Sequence, residues 1–142
     1  MYDNRYGRDR ENPSELIEKL LKDLHKPPWK DISKTGGHAD NFSKKLNLKT
    51  TQLRKFFDSV KNINDKLASG KNWEDVEGEA WRIIPALKYA KARGLCDDHF
   101  VKFVEEGLRK VSEAPNKKEA FMNFSKIFEA VVAYFKYHNP KK

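Results

Sequence analysis

The chain has 142 residues, 35% of them charged and 38% apolar, with 29 Lys and Arg against 21 Asp and Glu, giving a net charge of +8 and a pI near 9.5. That length fits one domain able to bury roughly two thirds of its unfolded surface without a staple, and three Trp, five Tyr and nine Phe argue against disorder. The surplus of cations points to a polyanionic partner, nucleic acid ahead of an anionic membrane. The lone cysteine, Cys96, excludes an internal disulfide framework and a cysteine-rich zinc site.

Met1 to Glu11 reads as a mobile charged arm, residues 1–11, ahead of a single helical domain, residues 12–142. The arm holds Arg5, Arg8 and Arg10 beside Tyr2 and Tyr6. Asn12-Pro13-Ser14-Glu15 predicts a helix start: Asn caps, Pro sits in the first turn, and Glu15 lies at the reciprocal capping position. Leu16, Ile17, Leu20, Leu21 and Leu24 then form one stripe, which Pro27 and Pro28 stop. The Pro, Gly and Ser content of Lys26 to Gly37 predicts a linker without regular structure. A short helix is expected over Ala39 to Leu46, and Thr50 is the expected N-cap of a helix reaching about Ser69. Leu53, Phe56, Phe57, Val60, Asn64 and Leu67 line the inner side of that helix.

Trp73 opens the next helix, and Glu74, Asp75, Glu77 and Glu79 favour its positive dipole end. Pro85 lacks a backbone donor, so this helix should kink or split near Trp81 before Gly94 stops it. Asp97 or Asp98 starts another, with Phe100, Phe103, Val104, Leu108 and Val111 inward. Pro115 and Asn116 separate it from a last helix over about Lys117 to His138. There Phe121, Phe124, Phe128, Val131, Val132 and Phe135 centre an apolar arc of roughly 160°, wide enough for several neighbours. With no strand alternation, the fold class is all-α, a single compact bundle of about five or six helices.

Catalytic signatures are missing. Thr35-Gly36-Gly37 lacks the Lys-Ser/Thr of a phosphate loop. His25, His38, His99 and His138 are scattered without a second metal ligand at helical spacing, and Cys96 reads as a small core residue. No catalytic residue, metal or cofactor is therefore expected. No apolar run is long enough to span a membrane, and the polar start lacks a signal-peptide core, so the expected location is the cytoplasm.

Two basic clusters stand out. Lys44 to Lys61 carries Lys44, Lys45, Lys49, Arg54, Lys55 and Lys61 against Asp58, although Arg54–Asp58 and Asp58–Lys61 have the spacing of ordinary surface pairs. Trp81 to Arg93 carries Arg82, Lys88, Lys91 and Arg93 with no acid. On a helical wheel at about 100° per residue, Ile83, Ala86, Leu87 and Ala90 face inward, while Arg82, Tyr89 and Arg93 fall within roughly 40° of one another. An aromatic between guanidinium groups suits a phosphate backbone, and Tyr89 serves either as a stacking platform or as a core tyrosine. Helix-dipole preference explains Lys91 and Arg93 near a C-terminus, but not Arg82.

Thr50-Thr51-Gln52-Leu53-Arg54-Lys55-Phe56-Phe57 resembles the T-x-Q-[LI]-R-K-[FY] signature of the small subunit of Csm complexes, the type III-A CRISPR effectors. Pro85 to Arg93, PALKYAKAR, is similar to that family's P-x-L-x-Y-A-x-x-R. Phe121 to Phe124 and Phe128 to Tyr137 resemble its F-x-x-F and F-E-A-[IV]-V-A-Y-x-K-Y close. The resemblance implies a non-catalytic helical subunit that stacks in several copies and lines the channel holding guide RNA paired with target RNA. Base pairing would read sequence while this protein holds backbone and shape. The implied partners are guide RNA and target RNA through backbone contacts, other Csm subunits and further copies of itself, with no membrane; the isolated subunit is expected as a monomer or a homodimer. By motif position Gln52, Arg54, Lys55 and Arg93 become RNA-binding candidates; Lys49, Lys88 and Lys91 join them on charge alone. The chain departs from the pattern in its longer charged arm and in Lys91, where a small residue is usual.

The alternative is a helical protein–protein interaction module without direct nucleic-acid binding, its basic faces merely solvated and its last apolar arc docked on a partner. DNA binding is a weaker third reading, since no helix-turn-helix spacing with polar base-reading residues is present.

Overall fold

Asn12 starts the first helix by a reciprocal pair of bonds: its Oδ1 accepts from the Glu15 amide at 2.8 Å, and Glu15 Oε1 accepts from the Asn12 amide at 3.3 Å. The computed structural model describes residues 11–140, so nearly all of the expected charged arm lies outside the described residues. This first helix, α1, spans Pro13–Leu20 and ends sooner than its leucine stripe suggests. Leu21 and Leu24 are nonetheless buried, because the turn after the helix folds back under it, with Asp23 Oδ1 accepting from the amides of His25 and Lys26 at 2.9 Å each. The expected linker contains a helix, α2, Trp29–Ser33. Its single turn starts directly after Pro28 and is anchored by fully buried Ile32, so tertiary burial overrides the local breakers.

Six more helices follow: α3 His38–Ser43, α4 Thr50–Ala68, α5 Trp73–Trp81, α6 Ile83–Ala92, α7 Asp98–Glu113 and α8 Lys117–His138. The described residues are thus all-helical, in six helices of eight residues or more and two shorter turns. Lys49, not Thr50, is the N-cap of α4; Thr50 begins the helix and its hydroxyl is buried without a partner. The helix expected around Pro85 divides at Arg82, as a missing donor there predicts. Pro85 then falls in the first turn of α6, where its absent N–H costs nothing.

The long α8 is the axis of the core and touches α2, α3, α4 and α7. Its phenylalanines stack with those of its neighbours: Phe103–Phe124 at 5.5 Å, Phe103–Phe128 at 5.6 Å, Phe100–Phe128 at 5.7 Å and Phe57–Phe128 at 5.5 Å between centroids. Tilted and edge-on pairs of this kind add about 0.5–1.5 kcal/mol each beyond the area they bury. Phe121, Phe124, Phe128, Val131 and Phe135 are all fully buried. Most of the wide arc of the last helix is therefore spent inside the molecule, while Val132, expected at its centre, and Tyr134 are only half-buried at its edge. Helices α7 and α8 meet at Gly107, which lies against the Phe124 ring. Phe57, in the first half of α4, lies beside Phe128, and Trp73, at the start of α5 just beyond the end of α4, lies 5.4 Å from Phe121 nearer the start of α8, so the chain runs along α4 antiparallel to α8.

The C-terminal end of α8 is pinned to α3. Asp40, 3% exposed, takes His138 Nε2 on Oδ1 at 2.6 Å and the Gly36 amide on Oδ2 at 2.8 Å. Burial pushes this carboxyl up, but the bonds from His138 and Gly36 more than offset it and hold it below the ordinary carboxylate range. A depressed folded pKa contributes stability above the unfolded value, near pH 4, that is lost as pH falls through the folded one. Urea unfolding should therefore show Asp40→Asn about 1–3 kcal/mol less stable than the parent at pH 7, with the gap closing towards pH 3. A gap that stays constant with pH would remove Asp40 from the acid response.

Candidate nucleic-acid interface

Helices α4 and α6 lie side by side and antiparallel, and the polar strip between them is where the two basic clusters meet. At one end, Lys49, Thr50 and Thr51 at the start of α4 face Gly94 and Leu95 across an open cleft of ≈ 520 Å³. Gly94 has φ +73° and ends α6 in the left-handed conformation that glycine adopts freely. At the other end, Lys55, Ser59 and Asn62 of α4 face Arg82 and Ala86 across a smaller cleft of ≈ 250 Å³. Glu79 also reaches this second cleft, but Lys66 Nζ at 2.8 Å and Asn62 Nδ2 at 3.3 Å engage its carboxylate.

Helix α6 buries Ile83, Ile84, Leu87 and Ala90. The expected inward position of Ala86 is corrected: Ala86 is exposed and Ile84 takes its place, because the break at Arg82 lets α6 turn its apolar side toward α7 as well as α4. The exchange matters to the site. Arg82, Ala86, Tyr89 and Arg93 now form one exposed stripe at helical spacing, with the small alanine leaving a low floor between larger side chains. Tyr89 is 66% exposed, which removes the core-tyrosine alternative, and the Arg93 guanidinium sits 5.6 Å from its ring centroid.

The seven candidates divide. Lys88 pairs with Glu105 at 3.3 Å and Lys91 with Asp98 at 3.2 Å, so both turn from the stripe toward α7. No acid on their own helix predicted this; the partners come from the next one. Lys55 and Lys49 border the clefts, and Arg93 is on the stripe. Arg54 lines neither cleft, since successive residues diverge by about 100° around a helix and Lys55 already takes the groove side. Gln52 is part-buried, its Oε1 without a hydrogen-bond partner. Among the described residues no carboxylate pairs with Lys49, Arg54, Lys55, Arg82 or Arg93. The surface pairs that the sequence allows for Asp58 do not form; Lys61 bonds to Asp65 instead, at 3.4 Å.

This strip is electropositive for reasons beyond side-chain count. Helix α4 has a lysine at its N-cap and no acid in its first turn, so a cation sits at the positive end of its dipole. Such an end favours an incoming anion. Arg82, Tyr89, Ser59 and Asn62 belong to the strip but not to the candidate list. Arg82 and Tyr89 were legible as a wheel cluster; Ser59 and Asn62 carry neither charge nor motif and emerge only from the α4–α6 pairing.

Elsewhere two of the histidines are engaged. His25 Nδ1 lies 2.7 Å from Glu119 and His138 bonds Asp40. Burial pushes the buried Cys96 thiol up, away from the thiolate a nucleophile needs. Among the described residues no cluster of ligands suits a metal, and no helix is long and apolar enough to cross a membrane.

No curated protein and no solved structure matches the chain. The family model described as Csm2 Type III-A matches residues 29–141, which takes in α2 to α8 and the whole α4–α6 strip. The motifs at Thr50, Pro85 and Phe121 thus lie in a match over most of the sequence, and the chain belongs to the Csm2 type III-A family, small subunits that work with other Csm subunits in the type III-A CRISPR effector complex.

Proposed function

We propose that this subunit is a non-catalytic, cytoplasmic RNA-binding component of that complex, with residues 12–142 acting as one helical domain. It lines the channel that holds guide RNA and target RNA and contacts their backbone through the α4–α6 strip, while other faces join neighbouring subunits and further copies. The observation that carries this reading is the stripe Arg82–Ala86–Tyr89–Arg93: two guanidinium groups without carboxylate partners among the described residues, flanking an exposed aromatic, opposite Lys55 and the clefts of α4. Cations neutralising phosphates release counterions, and a tyrosine face stacks on any base, so binding is sequence-tolerant and salt-sensitive.

With about three to five phosphates engaged, the log–log slope of affinity against salt on single-stranded RNA is expected at about −2 to −3.5. Fluorescence anisotropy with several unrelated RNAs measures it. A slope near zero, or a strong preference for one sequence, would overturn the reading. The rival interaction-module reading has less apolar surface to draw on, since most of the arc it relied on is core and only its half-buried edge at Val132 and Tyr134 remains.

A further inference from the structure

Away from the strip, at the N-terminal end of α8, the turn at residues 25–29 and the first turns of α8 border an open groove of ≈ 610 Å³. Because α4 and α8 are antiparallel, this groove and the Lys49 end of α4 lie at opposite ends of the bundle. One wall is Trp29, 38% exposed, whereas Trp73 is 4% exposed and part of the core. The other wall is a Lys118–Met122–Lys126 stripe at four-residue spacing on one face of α8, and Lys26 borders the same groove. Among the described residues none of these three lysines forms a close ion pair, although the Asp23 carboxylate lies within electrostatic reach of Lys26. The acid in the groove, Glu119, faces His25 Nδ1 at 2.7 Å. Asn123 Nδ2 donates to the Leu24 carbonyl at 2.7 Å and holds the turn against α8, so the two walls have a fixed separation.

Lysines on a helix are ordinarily solvated, and a single exposed tryptophan is ordinary too. Their convergence is not. A flat indole, a polarizable methionine and three unpaired ammonium groups around a space of several hundred Å³ match a nucleotide: a base on the ring and phosphates on the cations. An acidic protein segment would satisfy the charge but leave the indole face without a planar partner. We propose that this groove is a second nucleotide-binding site, which seats one base of a single-stranded RNA segment on Trp29 and its flanking phosphates between Lys26, Lys118 and Lys126. It goes beyond the function proposed for the α4–α6 strip and does not rest on it.

The test uses the full chain carrying Trp81→Phe, so that Trp29 is the exposed tryptophan and Trp73 the buried one. A tetrauridylate titrated at low salt should quench tryptophan emission. Lys118→Glu with Lys126→Glu should weaken that quench by about tenfold or more, while Arg82→Glu with Arg93→Glu leaves it unchanged. An unaltered quench in the Lys118/Lys126 variant would overturn the proposal, and its loss only in the Arg82/Arg93 variant would do so while leaving the α4–α6 reading intact. Equal quenching by an oligoglutamate of the same charge would also overturn it, in favour of an acidic protein partner. Circular dichroism of each variant confirms that the helices persist.

Discussion

Gly107→Ala is expected to lower folding stability by about 2 kcal/mol, and the thermal midpoint by roughly 6–8 °C. A Cβ on Gly107 would lie 2.2 Å from Phe124 Cε1 and 2.6 Å from its Cζ. The ring cannot swing aside, because Phe124 also packs on Phe103, Phe121 and Phe128 at 5.5, 6.1 and 6.0 Å. Alanine gains roughly 1 kcal/mol in helix propensity, which the forced separation of α7 and α8 must exceed for the sign to be destabilising. Gly78→Ala in α5 supplies the control: nothing lies within 4 Å of its Cβ, so the propensity gain stands alone and the variant should be up to about 1 kcal/mol more stable. Chemical unfolding of the two side by side separates packing from propensity; equal effects would mean that the α7–α8 approach is looser than described.

The second large effect concerns RNA. Arg82→Glu with Arg93→Glu should weaken affinity by at least about tenfold at low salt and reduce the magnitude of the salt slope by about 1.4, two phosphate contacts at about 0.7 each. Lys88→Glu with Lys91→Glu makes the same change of charge on the same helix, but those lysines already sit beside Glu105 and Asp98 on the α7 side. Its effect on affinity should be several-fold smaller. Reversing either lysine also places like charges together, at a cost of tenths of a kcal/mol for such exposed pairs, so both variants should remain folded. Equal losses from the two pairs would mean that net charge, not the stripe, drives binding.

How much of this was legible in the sequence follows from which interactions are local. Asn12, Pro13 and Glu15 specify α1 by bonds within one turn, and Pro85 breaks the chain at Arg82 through its own missing donor. The inward set of α7, and that of α8 apart from half-buried Val132, follow from periodicity. What failed depended on partners far along the chain. Trp29–Ser33 is helical because Ile32 is buried against the bundle, not because its residues favour a helix. Lys88 and Lys91 looked unpaired because their acids stand on α7, and Ala86 looked buried because the two-sided packing of α6 could not be foreseen from the wheel. Of the site, Arg82, Tyr89 and Arg93 were visible as a face; their meeting with Lys55, Ser59 and Asn62 needed the antiparallel pairing of α4 with α6.

The α4–α6 strip is tested most directly by photo-crosslinking the chain to single-stranded RNA containing 4-thiouridine, with the attached residues mapped by mass spectrometry. The exposed Tyr89 ring beside Arg93 predicts a principal adduct in the peptide spanning residues 83–93. Attachment confined to α1 or the outer face of α7, with Tyr89 unmodified, would contradict the placement of RNA between α4 and α6.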